Sequence, residues 1–80
     1  MLLAIGFDAT VNTAEVVAIL PYGSSGTVKA VQYAKKVGLI IDNTRGRRTR
    51  SVIFTRSQHV VASSASAEAL TERWRQEAMS

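Results

Sequence analysis

For most of the chain, apolar residues fall in short runs broken by polar punctuation, and only two stretches show helical spacing. Leu2–Phe7 is an apolar run that stops at Asp8, as a first strand would. Val11–Leu20 carries the β-branched Val16, Val17 and Ile19 and ends at Pro21-Tyr22-Gly23, a strand stop, so it reads as a second strand paired with the first across Asp8–Thr10. Ser24-Ser25-Gly26 opens a helix that either serine can cap. Thr27, Ala30, Val31, Ala34 and Val37 mark its buried face, and Gly38 suits the residue that ends it. Leu39–Ile41 reads as a short buried strand leading into the arginine loop, and Ser51–Thr55 and His59–Ala62 are β-rich, with Arg56-Ser57-Gln58 as a hairpin turn between them. Ser66 caps a final amphipathic helix that runs to about Met79 and buries Ala67, Leu70, Thr71, Trp74 and Ala78. The order ββα–βββ–α predicts an α+β fold: a mostly antiparallel sheet, one helix packed across it, and a C-terminal helix docked on its edge or on a neighbour.

Size and charge sharpen this picture. Eighty residues make one domain, residues 1–80, with a thin core, and the absence of cysteine removes disulfides and thiolate metal sites. Oligomerisation is the remaining common source of stability at this size. The net charge of +4 is local. Residues 43–58 hold five positive charges and no negative ones, whereas the other 64 residues hold five positive and six negative. Those five, Arg45, Arg47, Arg48, Arg50 and Arg56, lie within twelve residues between two apolar runs, so a folded scaffold displays them. Lys29, Lys35 and Lys36 lie off the buried stripe of the first helix, two of them where its dipole favours cations. The opening MLLAIGFDA has no basic n-region, and no stretch approaches the length of a membrane span, so a cytoplasmic location is expected.

The segment LIIDNTRGRRTRS carries the chemistry. Asp42-Asn43-Thr44 is suited to a side-chain-braced turn, and Gly46 permits a sharp bend. Guanidinium forks match phosphate oxygens and the edge of guanine, so a fixed set of them points to a polyanion, most simply a nucleic acid. Two other readings fit the same residues: an RNA-binding module, or a self-assembling structural protein whose arginines pair with Glu15, Glu68, Glu72 or Glu77 of a neighbour. Arg50 is open between DNA contact and a bridge to Asp42 or another acid.

This segment resembles the signature of the bacterial RemA family of extracellular matrix regulatory proteins. The likeness is carried by Ile5-Gly6-Phe7, Val16–Ile19, Ala34–Gly38, Leu39–Asp42, Thr44, Gly46-Arg47-Arg48-Thr49-Arg50, Val52-Ile53, Ser57–Val61 and Ser63-Ser64. It runs from about Leu2 to Trp74. What the resemblance implies is a homo-oligomeric, ring-forming, double-stranded-DNA-binding transcription regulator of biofilm matrix genes. It implies DNA contact at Arg47 and Arg48, supported by Thr49 and Arg50, with Arg45 in the same loop. The chain departs from the family at Glu15, where relatives usually carry arginine, and at Ala9, where they carry asparagine. A carboxylate at position 15 would repel phosphate if it shared the arginine surface.

The remaining features read as structure. Gly23–Gly26 lacks the spacing of a P-loop and reads as a turn with a helix cap. His59 stands alone without cysteine, so no metal site is expected, and Trp74 with Leu70 reads as a packing or subunit-interface anchor. The few carboxylates outside the last helix, Asp8, Glu15 and Asp42, fall on no common face, and no nucleophile–base spacing is present. No enzyme activity, cofactor, small-molecule substrate or membrane association is expected.

Overall fold

The computed structural model describes the backbone of residues 1–79 and side chains through Gln76. The chain forms β1 (Leu2–Gly6), β2 (Ala9–Asn12), β3 (Val16–Pro21), α1 (Ser25–Val37), β4 (Ile40–Asn43), β5 (Ser51–Thr55), β6 (Val60–Ser63) and α2 (Ala67–Met79). The fold is α+β, as expected. A four-stranded sheet of order β3-β5-β6-β4 is antiparallel except for the parallel pair β4–β6, and β1 and β2 form a separate antiparallel hairpin.

The sheet is covered on both faces. On one, α1 packs Val31 and Ala34 against Val52 and Val60; on the other, the hairpin and α2 pack Leu3, Ile5 and Leu70 against Ile53 and Val61. Burial on both faces explains why β5 and β6 read as unbroken apolar runs without alternation. Trp74 packs against this second cluster, and the side chains of Glu77 and Ala78 lie outside the described residues.

Local signals placed the helices well. The Ser24 hydroxyl accepts from the Thr27 N–H at 3.3 Å, and Gly38 closes α1 in the left-handed region at φ 77°. Ser66 caps α2 by accepting from the Ala69 N–H at 3.1 Å. Val37, expected on the buried stripe, is instead 44% exposed. The chain reverses at Gly38, the Leu39 N–H bonds back to the Ala34 carbonyl at 2.8 Å, and Leu39 packs where a further helical turn would have done.

The strand expected over Val11–Leu20 is two strands in two sheets. The Asn12 carboxamide oxygen accepts from the Ala14 N–H at 3.0 Å and starts a 3-10 turn over Thr13–Glu15, which redirects the chain from the hairpin to the edge of the main sheet. The first strand also ends one residue early, because Phe7 belongs to the hairpin turn.

Candidate nucleic-acid interface

Two chain reversals, far apart in sequence, build the site. Gly6 pairs with Ala9, which leaves Phe7 and Asp8 as a two-residue turn with φ of 52° and 62°. The Arg47 N–H bonds to the Thr44 carbonyl at 3.0 Å, closing a second turn around Arg45 and Gly46, with φ of 51° and 80°. Positive φ at both central residues is the signature of the primed hairpin turns, which favour glycine and asparagine. Each turn nevertheless holds a large side chain at its first central position.

The second turn is braced as the sequence anticipated. The Thr44 N–H and hydroxyl both donate to Asp42 Oδ1, at 2.8 and 2.6 Å. These bonds, with a smaller attraction from Lys35, hold the Asp42 carboxyl below its ordinary pKa against a weaker opposing effect of burial. Asp42 is not bridged to Arg50: among the described residues the one ion pair is Arg75–Glu72.

Sheet topology sets where this loop lies. Asn43, Ser63, Ser51 and Pro21 are in register at one end of the sheet, so residues 44–50 cross over the end of β6 on the way from β4 to β5. The hairpin tip sits beside that crossing. Four successive carbonyls, from its first arm into its turn, are held by side chains from elsewhere. Arg73 donates to Ala4 (3.1 Å), Ser63 to Ile5 (2.9 Å), Asn43 to Gly6 (3.1 Å) and Arg45 to Phe7 (3.3 Å). The Phe7 ring then lies under two guanidinium groups, Arg45 at 5.0 Å and Arg47 at 5.5 Å from its centroid.

The expected site residues therefore separate. Arg45 and Arg47 meet on Phe7, and Arg48 is exposed beside them in sequence, with no side-chain hydrogen bond among the described residues. Thr49 is half-buried. Arg50 lines a groove of about 650 Å³ between β3 and α2 with Ile19, Pro21, Glu68, Thr71 and Glu72. Arg56 lies at the other end of β5, about 17 Å away by strand length, and so leaves the cluster that sequence proximity suggested. Glu15 goes with it, its carbonyl accepting from the Arg56 N–H at 2.8 Å. Glu15 is thus at the opposite end of the sheet from the loop. No arginine of residues 43–58 pairs with a carboxylate among the described residues, where the one ion pair is Arg75–Glu72.

Phe7 is the site residue that sequence reasoning did not select. An aromatic residue directly before Asp8, where a turn was expected, was the available signal. His59 makes a local bond between its Nδ1 and the Ser57 hydroxyl at 2.8 Å, which fits a structural role. Among the described residues, no helix is long and apolar enough to cross a membrane.

Residues 2–74 match the model of the RemA-like family, described as Extracellular matrix regulatory protein A-like. A protein of Desulfotalea psychrophila described as a "Putative regulatory protein" is 46% identical over 72 residues; these are 90% of this chain but 64% of that protein, so the chain spans just under two thirds of it. Proteins described in the same words are 38% identical in Thermodesulfovibrio yellowstonii, over 91% of this chain and 86% of theirs, and 40% identical in Nitratidesulfovibrio vulgaris, over 95% and 86%.

Proposed function

Because the chain belongs to the RemA-like family, whose members compared above bear the name of regulatory proteins, we propose that it is a homo-oligomeric DNA-binding transcriptional regulator. It contacts duplex DNA through the loop of Arg45, Arg47, Arg48, Thr49 and Arg50, repeated on each subunit. The observation that carries this reading is a braced loop of arginines with no carboxylate partner among the described residues. Unneutralised guanidinium groups on a rigid support favour a phosphate-rich ligand over an internal salt-bridge role.

Self-association is supported by the sheet edges. Val17 and Leu20 on edge strand β3 are 65% and 41% exposed, and Ile41 on edge strand β4 is 48% exposed. Open edges with apolar side chains favour coverage by another chain. Several loops on one assembly would engage one duplex together, and effective concentration would convert a few phosphate contacts per subunit into useful affinity.

The test is a labelled duplex of about 30 base pairs titrated by fluorescence anisotropy with wild type and Arg47→Ala/Arg48→Ala, with light scattering on both. Each phosphate contact contributes about 0.9 to the slope of log K against log salt, so the double variant is expected to lower the slope by about 1.8 per engaged subunit at unchanged mass. Wild type that binds structured RNA in preference to duplex, or a variant that loses mass, sinks the proposal.

A further inference from the structure

The two reversals at the site share an oddity: each places a bulky residue where the backbone favours glycine or asparagine, and those two residues touch. Phe7 at φ 52° and Arg45 at φ 51° are joined by the Arg45 bond to the Phe7 carbonyl at 3.3 Å and by the guanidinium over the ring at 5.0 Å. Arg47 approaches the same ring at 5.5 Å. A large side chain persists in such a conformation only where its surroundings hold it there, and such positions concentrate at ligand-gripping sites.

We infer that Phe7 is a positioning residue, a cation–π platform that holds Arg45 and Arg47 as a preformed pair for the phosphates of duplex DNA. The inference rests on the DNA-binding reading above. Its chemistry follows from what an aromatic ring does that a carboxylate does not. A carboxylate partner would order an arginine but cancel its charge, whereas the ring's quadrupole attracts the guanidinium face and leaves for a ligand the charge and the in-plane N–H donors other than the Arg45 Nη2 that bonds the Phe7 carbonyl. Long arginine side chains lose rotamer freedom on binding, and a platform that restricts them beforehand reduces that loss. Asn43 and Ser63 bond the Gly6 and Ile5 carbonyls, so the backbone that carries the ring is fixed to the sheet.

The experiment compares wild type with Phe7→Asn, Phe7→Leu and Phe7→Tyr. Asparagine is at home at positive φ, so Phe7→Asn keeps the turn and removes the ring; leucine keeps apolar bulk; tyrosine keeps the ring. Thermal melts confirm that each folds. NMR of the free protein reads the ring-current displacement of the Arg45 and Arg47 Nε–H resonances, and anisotropy reads affinity for the duplex of about 30 base pairs. Expected is a displacement present in wild type and Phe7→Tyr and lost in Phe7→Asn and Phe7→Leu. The latter two bind about tenfold more weakly, the order set by two exposed cation–π contacts. Equal binding by all four proteins overturns the proposal, as does Phe7→Tyr as weak as Phe7→Asn, or wild type without the displacement. If wild type shows the ring-dependent displacement and binds no duplex, the platform stands and the DNA reading fails.

Discussion

Ser63→Ala tests the joint that connects the scaffold to the site. Ser63 is fully buried, and its hydroxyl donates to the Ile5 carbonyl at 2.9 Å while accepting from the Ala65 N–H at 3.1 Å. Ile5 has no ladder partner, because the register of the hairpin slips between Ala4 and Gly6, so this hydroxyl is the group that satisfies its carbonyl. Alanine would leave one buried carbonyl and one partly buried N–H unpartnered. At about 1–3 kcal/mol per buried orphan, with water able to reach the only partly buried Ala65 N–H, the expected loss is ~2–3 kcal/mol. For a domain of this size that corresponds to a fall of roughly 10–20 °C in Tm. Ser51→Ala is the internal control. Ser51 is equally buried but makes one such bond, to the Ala65 carbonyl at 2.7 Å, so its loss should be about 1 kcal/mol. Urea unfolding monitored by circular dichroism measures both. A Ser63→Ala loss under ~1 kcal/mol at unchanged m-value, or one no larger than that of Ser51→Ala, would refute the reasoning that the bulge carbonyl depends on this hydroxyl.

Two further predictions concern the loop. The Asp42 carboxyl is held below its ordinary pKa chiefly by the Thr44 hydroxyl, so its contribution is fully present above about pH 4 and is lost as pH falls through the depressed folded value. Urea midpoints followed from pH 7 to about 2.5 should therefore show the advantage of wild type over Asp42→Asn shrinking at the acid end; a gap independent of pH would contradict it. Gly46→Ala meets no atom within 4 Å, yet φ of 80° makes it costly by about 1–2 kcal/mol. Gly26→Ala, in α1 with equal room and no positive φ, should be stabilising by about 0.4–1 kcal/mol. Equal effects in denaturant titrations would show that backbone conformation does not separate the two sites.

What the chain determined by itself is what depends on near neighbours. The serine caps, the glycine that ends α1, the Arg56–Gln58 reversal and the Asp42–Thr44 brace all close over a few residues, so residue type and spacing suffice to foresee them. The local excess of arginine was legible for the same reason, being a property of composition along the chain. Tertiary structure decided the rest. No local rule says that Val11–Leu20 serves two sheets, since strand partners are chosen by cores that other segments complete. One-dimensional proximity grouped Arg56 with the loop and left Glu15 a threat to it; an extended strand carries both to the far end of the sheet. The meeting of Phe7 with Arg45 bridges 38 residues. It exists because Asn43 and Ser63 dock the hairpin tip beside the crossing over β6, and such docking energies appear only once the surfaces are built.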